Sequence, residues 1–199
     1  MGRFDITQTN AAVERLMETT ENPRHMFLLS AYNRHRYLEM AGRYQEIFVP
    51  EMTVEHPVYH FNAFGVNVIL DGRKEVEAVY REWTRTGQCV FYTGGDERLA
   101  VGDNMICSTA TIYQQTQGAV LATTGADVDQ EATYLVANVE HMIWPYDDRG
   151  RLMGEDVWEI DESRRELIKL EANEILTAHE AAALLEPLIK PLPAFDAIA

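Results

Sequence analysis

Two histidines in the first third of the chain have the residue type and the spacing of a proton-transfer site. In the segment TVEHPVYHF, His56 and His60 alternate with valines, which places both imidazoles on one face of a predicted β-strand. Histidine gains and loses a proton near neutral pH and is the most frequent general acid or base. Four residues of straight strand span about 13 Å, so the two side chains are too far apart to share a metal ion. We expect only His60 to lie deep in the protein, because Tyr59 and Phe61 flank it; the alternative is a rim histidine bonded to a backbone carbonyl.

A second pair of candidates lies in the last third of the chain. In ATYLVANVEHMIWP, His141 alternates with apolar residues, which predicts that its imidazole faces the interior and needs a hydrogen-bond partner there. Asp156 shares a strand face with a tryptophan and an isoleucine, a setting that either raises a carboxyl pKa or lets the carboxylate orient a histidine. We expect Asp156 to face His141 across a hairpin. The alternatives are a structural histidine and a surface aspartate.

These groups together indicate acid–base chemistry. His60 or His141 would move a proton, Asp156 would stabilise the imidazolium, and Tyr59 or Arg36 would hold an oxygen of the substrate. Strand alternation points Tyr59 away from His60 unless a bulge intervenes. The sequence has no glycine-rich phosphate loop, no paired-cysteine metal pattern and no nucleophile elbow, so we expect neither a metal nor a nucleotide cofactor.

Aromatic side chains on two predicted helices are spaced so that they could line the mouth of a pocket. The candidates for substrate binding are Tyr32, Arg36, Tyr37, Tyr80 and Trp83, with His56 added from the strand. Each aromatic residue alone is compatible with ordinary packing. Together they favour a hydrophobic aromatic ligand over a small charged one.

The elements that must position these residues begin with helices. Residues 11–19 predict a short helix capped by Asn10, and residues 25–48 a long helix interrupted at Gly42. An amphipathic helix follows from about Arg73 to Arg85, after the first strand.

The second half of the chain alternates as strands do. Its turns are predicted at residues 102–104 and 147–150, where glycine, aspartate and asparagine cluster between apolar runs. Thr177 and Glu180 stand three residues apart, as in a capping box that begins a helix, and a proline-rich tail follows.

Length and composition indicate one globular domain. The 199 residues, 46% of them hydrophobic, are expected to form a single domain over residues 1–199, with a core at about 20–162 and a C-terminal extension at 163–199. The formal charge of -15 disfavours binding to nucleic acid or to an anionic membrane. The chain has only two cysteines, and no apolar run is long enough to cross a bilayer, so we expect a soluble cytoplasmic protein.

Three segments carry a resemblance to a known family. They are GRYQEIFVPEMTVEHP, AVGDNMICSTA and DDRGRLMGEDVWEID, set within the predicted order of helices, strand, covering helix and long strands over roughly residues 20–162. In this order the chain resembles the nuclear transport factor 2-like (NTF2-like) superfamily, in particular its SnoaL-like polyketide-cyclase and dehydratase branch. The resemblance implies an α+β fold, in which a strongly curved antiparallel sheet forms a cone wrapped by N-terminal helices.

The resemblance also implies a class of activity. Enzymes of that branch are mostly cofactor-free lyases, dehydratases, isomerases and cyclases, and one group releases formaldehyde from lignin-derived diarylpropanes. By resemblance we expect a cofactor-independent lyase or isomerase for a hydrophobic aromatic small molecule, assembled as a homodimer or higher homo-oligomer. The alternative is a non-catalytic module that binds a small molecule or dimerises. Many members carry an aspartate on the long helix where Tyr37 stands here, which argues against a simple aspartate base.

Overall fold

The computed structural model describes residues 4–195. The helices are α1 (Ala11–Thr19), α2 (Pro23–Met40), α3 (Arg73–Thr86), α4 (Gly118–Thr123) and α5 (Ala178–Leu185). The strands are β1 (Thr53–Ala63), β2 (Val66–Asp71), β3 (Phe91–Thr93), β4 (Arg98–Val101), β5 (Met105–Gln117), β6 (Thr133–Pro145), β7 (Leu152–Glu159) and β8 (Glu166–Lys169).

The strands form one sheet in the order β2-β1-β7-β6-β5-β3, with β4 also paired to β5 and β8 also paired to β6. The sheet is curved and does not close on itself, and the N-terminal helices pack against it. The predicted α+β fold with a curved sheet is therefore confirmed. One pairing differs from an antiparallel sheet, since β1 and β7 run parallel. Along residues 4–195, no helix has both the length and the apolarity needed to cross a bilayer.

Helix α2 is the central helix of the fold, and local signals set both of its ends. The side chain of Asn22 accepts hydrogen bonds from the backbone N–H groups of Arg24 and His25, and Pro23 occupies the first turn. Gly42 follows the helix with a φ of 66°, where a side chain would be strained and its Cβ would lie 2.7 Å from Thr84. The predicted interruption at Gly42 is confirmed.

Strands β5, β6 and β7 supply much of the inner face of the sheet. On β6, Asn138, Glu140, Met142 and Trp144 are buried on this face, while His141 points the other way and is exposed. The large side chains of Met142 and Trp144 bury more apolar surface than Val139 and Ile143 of the opposite face would. The strand is therefore more stable with Met142 and Trp144 facing inward.

The ends of the chain agree with the sequence in most respects. Helix α5 begins with the predicted capping box, in which Thr177 and Glu180 bond each other's backbone amides. Asn10 precedes α1 as predicted but does not cap it, because its amide donates to the backbone and side-chain oxygens of Asn33. The proline-rich tail has one 3-10 turn, Glu186–Leu188, and no strand up to residue 195. Residues 1–3 and 196–199, which belong to the predicted domain and tail, lie outside the described residues.

Candidate active site

The curved sheet and the helices α2 and α3 enclose a cavity of about 280 Å³. Its lining is mostly apolar and rich in rings and includes Phe61, Phe64, Trp83, Phe91, Met142 and Trp144. Phe61 meets Trp83 edge to face, with ring centroids 5.9 Å apart, and stacks on Phe64 at 6.2 Å. An apolar, ring-rich lining of this kind is typical of binding sites for hydrophobic small molecules.

Three buried carboxyl groups line the same cavity, and we call them the carboxyl cluster. Glu39 comes from α2, Glu140 from β6 and Glu155 from β7, and their exposed fractions are 9%, 5% and 7%. Burial disfavours the ionised form of a carboxyl group, so the pKa of each of the three is raised above its ordinary value. Within residues 4–195, no three histidine, cysteine or acidic side chains are arranged to hold a metal ion.

Glu140 is the member of the cluster whose pKa is nearest to neutral pH. Burial raises its pKa to about 7, although the amide of Asn138 donates a 2.9 Å hydrogen bond to Glu140 Oε1 and works in the opposite direction. Glu159, opposite Glu140 on β7, raises the pKa further, and Arg36 lowers it. A carboxyl group with this pKa is present in both protonation states at neutral pH and can accept or donate a proton.

Glu155 lies in a hydrogen-bonded group with His35 and Tyr80. Its Oε1 atom is 3.2 Å from His35 Nε2 and accepts a 3.3 Å hydrogen bond from Tyr80. Burial and the neighbouring Glu39 raise the pKa of Glu155 well above its usual range, while burial and the charge of Arg36 lower the pKa of His35 to about 3. The contact between His35 and Glu155 is therefore one between neutral groups, and His35 Nε2 forms its hydrogen bond with the hydroxyl of Tyr80 at 3.1 Å.

Glu39 completes the cluster from the helix side. Burial raises its pKa, the charge of Arg36 opposes that change, and Glu140 adds to it. Because Glu140 raises the pKa of Glu39 and Glu39 raises the pKa of Glu155, the cluster holds protons more tightly than any one of its members would alone.

Arg36 is the buried cation next to the cluster. Its Nη1 atom donates to Glu97 Oε1 at 2.5 Å and to Tyr32 Oη at 2.6 Å. Burial disfavours the charged guanidinium, but Glu97 and Tyr32 outweigh this and raise its pKa above the ordinary value. Its Nε and Nη2 atoms are buried and have no hydrogen-bond partner among residues 4–195. A buried donor without a hydrogen-bond partner lowers the stability of the folded protein by about 1–3 kcal/mol.

Several residues predicted for the site do line the cavity. Tyr59, Arg36, Tyr80 and Trp83 all contribute to its wall. Burial and the neighbouring Glu155 raise the pKa of the Tyr59 hydroxyl. Tyr32 lies behind the wall, where it donates to Glu97 at 3.2 Å.

Tyr37 and His56 are not part of the cavity lining. Tyr37 faces α1 and donates to Glu14 Oε1 at 2.9 Å. His56 is an exposed side chain whose Nε2 lies 2.7 Å from Asp71 Oδ1. Both were predicted to bind substrate, and neither is placed to touch a molecule in the cavity.

His60 and Asp156 form a hydrogen-bonded pair across the parallel strands β1 and β7. Asp156 therefore meets His60, and the expected contact with His141 is wrong. His60 is among the residues that line the cavity, but its imidazole is 50% exposed, whereas the neighbouring Tyr59 is buried on the inner face. Strand alternation puts neighbours on opposite faces, so the inward position of His60 that we expected is also wrong.

His141 lies on the outer face of the sheet, opposite Trp158 of β7, and its side chain is exposed. The expectation that it faces the cavity is wrong, because Glu140, Met142 and Trp144 occupy the inner face of β6. The candidate acid–base groups missed by sequence reasoning are thus the glutamates. For Glu140, the signal was its alternation with the two bulkiest apolar residues of the strand.

Comparisons with known proteins agree with this geometry at the level of the fold. No family model matches the sequence, and neither does any curated protein. The structure is similar to the crystal structure of an NTF2-like protein from Anabaena variabilis, with a TM-score of 0.51, 8% sequence identity and coverage of 72% of this chain and 95% of that chain.

Two further similar structures have lower scores. One is an NTF2-like protein with a cystatin-like fold from Novosphingobium aromaticivorans, with a TM-score of 0.40, 17% identity and coverage of 82% of this chain and 95% of that chain. The other is a phenazine biosynthesis-related protein from Pseudomonas aeruginosa, with a TM-score of 0.42, 11% identity and coverage of 73% and 82%. The Anabaena structure, which covers most of both chains, identifies the fold of this protein as NTF2-like.

Proposed function

We propose that this protein is a cofactor-independent lyase or isomerase that moves a proton on a hydrophobic aromatic small molecule. The observation that carries the proposal is the carboxyl cluster, which lies beside a charged arginine in an otherwise apolar, ring-lined cavity. Titratable groups whose pKa values are strongly shifted in a cavity are characteristic of catalytic sites. Within the NTF2-like fold, this chemistry is that of the SnoaL-like branch, which includes dehydratases.

The proposed roles follow from the protonation of each group. Ionised Glu140 removes a proton from carbon, since its pKa of about 7 leaves part of it deprotonated at neutral pH. Protonated Glu39 or Glu155 returns a proton, either to another carbon in an isomerisation or to a leaving oxygen in an elimination. Tyr59 and Arg36 hold an oxygen of the substrate. These glutamates replace the histidines as proton-transfer groups.

Replacing Glu140 with glutamine tests the proposal. The change keeps the size of the side chain and the hydrogen bond with Asn138 but removes the base, so turnover falls by roughly 10²–10⁴-fold. The assay incubates purified protein with aryl alcohols, diarylpropane diols and ring-bearing ketones and follows product masses, which also show whether water or formaldehyde is lost. The exposed Glu51→Gln variant is the matched control and keeps wild-type turnover. Unchanged turnover in Glu140→Gln would rule out the base.

A second candidate function is binding without chemistry. The apolar lining of the cavity favours it, since such a surface holds a hydrophobic molecule whether or not a proton moves. Tight binding of a panel compound with no change in mass over long incubation would support a binding module and exclude the enzyme for that compound.

A further inference from the structure

One end of the cavity opens to solvent, and the exposure of its lining residues shows where. Val66 and Val68 on β2 and Thr124, directly after α4, line the cavity and are nevertheless exposed. Arg36 and Trp144, which also line it, are buried. The mouth of the cavity therefore lies between the β1–β2 hairpin and α4.

Phe64 lies at this mouth, on the tip of the hairpin. Because Ala63 pairs with Val66, Phe64 and Gly65 form a two-residue loop. The side chain of Phe64 lines the cavity and also packs against the small apolar cluster that contains Leu121 of α4. The ring thus reaches from the hairpin to the opposite side of the mouth.

The backbone of the loop does not favour a ring at this position. Phe64 has a φ of 57° and Gly65 a φ of 76°, the pattern of positive values found in type I′ hairpin turns. Such turns favour asparagine followed by glycine, and a bulky residue with positive φ is strained. Strained residues of this kind persist where their surroundings hold them, typically at ligand clamps and switches.

A buried ion pair holds Phe64 in this conformation. Glu159 Oε2 accepts the backbone N–H of Phe64 at 2.8 Å, and its side chain is only 1% exposed. Arg165 donates to both carboxylate oxygens of Glu159, at 2.9 and 2.5 Å, and its guanidinium carbon lies 5.9 Å from the centre of the Phe64 ring. The Glu159–Arg165 pair, which we call the latch, therefore contacts both the backbone and the ring of Phe64.

We propose that Phe64 is the gate of the cavity: its ring swings aside to let a ring-bearing molecule in or out, and the latch holds it across the mouth. Phe64 is on a short loop, whereas Val66, Val68 and Thr124 belong to a strand and a helix end. Backbone strain favours release of the ring, and the latch opposes it. The gate controls passage only, so it does not depend on whether the molecule reacts inside.

Stopped-flow binding of N-phenyl-1-naphthylamine, a neutral fluorophore that brightens in apolar surroundings, tests the gate. Arg165 is not among the residues that line the cavity, and Arg165→Lys keeps the charge but loses the two-point contact with Glu159. The association and dissociation rate constants are both expected to rise at least about tenfold, while Kd changes by less than about threefold, because a gate sets the barrier and not the bound state.

The matched control is Arg85→Lys. Arg85 makes the same two-point contact with Glu82, at 2.8 and 2.6 Å, on the surface of α3. This control is expected to keep the wild-type rate constants.

A second variant tests the ring itself. Phe64→Asn puts the residue that the turn favours at this position and removes the ring, so the protein folds and the probe associates at least about tenfold faster. Phe64→Tyr keeps a ring and is expected to keep the wild-type association rate. A residue that only forms part of the wall would change the dissociation rate alone.

Three results would overturn the gate. They are unchanged association rates in Arg165→Lys and Phe64→Asn, an equal acceleration in Arg85→Lys, and no saturable binding of the probe even to Phe64→Asn. None of them bears on the proposed activity, which the product masses of Glu140→Gln test separately. Conversely, faster association in both variants with no turnover of any panel compound would support the gate and leave a binding module.

Discussion

At the scale of single residues, Glu140 is a carboxyl group whose pKa is set mainly by burial and not by an ion pair. Its only side-chain partner in the described residues is Asn138, and the nearest charge across the hairpin, Glu159, has the same sign. The pKa of a carboxyl group in this position is about two to three units higher than that of one in water. The same preference that makes Glu140 a base near neutral pH also links it to stability.

The free energy of unfolding is therefore expected to decrease as the pH rises. The folded pKa of Glu140 is about 7 against 4.5 for the free group, so its contribution is full below pH 4.5 and is lost as the pH passes 7. That contribution is on the order of 3 kcal/mol. Glu39 and Glu155, whose pKa values are also raised, act in the same direction.

Urea unfolding at about pH 5 and about pH 8 measures this linkage. Glu140→Gln has no group to titrate there, so its stability depends less on pH and exceeds that of the wild type at the higher pH. Glu51→Gln, on the surface, keeps the wild-type dependence. Parallel curves for Glu140→Gln and the wild type would contradict the raised pKa.

At the scale of elements, local signals are readable from the sequence and the phase of a strand is not. The end of α2 at Gly42, the turn at residues 102–104 and the box at Thr177 are each written in a few adjacent residues, and all were predicted correctly. Alternation with a period of two looks the same for either face, so the strands of His60 and His141 were predicted with the wrong face inward. Which face is buried depends on the residues that pack against it from distant segments.

The pairing of β1 with β7 is the element that brings Tyr59 and Glu155 to one cavity, and it depends on Gly154. Gly154 lies opposite Val58, and a Cβ there would be 1.8 Å from the carbonyl oxygen of Val58. Gly154→Ala forces the two strands apart and is expected to destabilise the protein by about 2 kcal/mol or more, as overpacking does.

Thermal unfolding of the glycine variants checks this expectation. Gly102→Ala is the matched control, because its added methyl group would make only an ordinary contact at 3.8 Å. Turnover of Gly154→Ala is expected to fall as well, since the strands that carry Tyr59 and Glu155 move. If Gly154→Ala unfolds at the same temperature as Gly102→Ala, the close approach of β1 and β7 does not limit stability.

At the scale of the whole molecule, the outer face of the sheet is the surface we propose for a homodimer. It exposes Ile69, Met105 and Trp158, and the His60–Asp156 pair lies among them. Exposed apolar groups of this size on one sheet face are typical of interaction surfaces. With a formal charge of -15, two copies repel each other, so association is expected to strengthen when salt is added.

Sedimentation of the wild type and two variants tests the dimer. Trp158→Gln removes the largest apolar side chain of the face without adding charge and is expected to shift the protein toward the monomer. Leu184→Gln, at a more exposed apolar position on α5, leaves the assembly unchanged. A wild type that sediments as a monomer at all concentrations and salt levels would remove the proposal.

Glu97 has a consequence that reaches beyond stability. It lies between β3 and β4 and is not among the residues that line the cavity, yet it neutralises Arg36 in the cavity wall. The electrical character of the cavity is thus set by a residue that no ligand touches. Replacing Glu97 with glutamine would leave the charge of Arg36 unbalanced, so the cavity is expected to favour acidic ligands although its wall is unchanged.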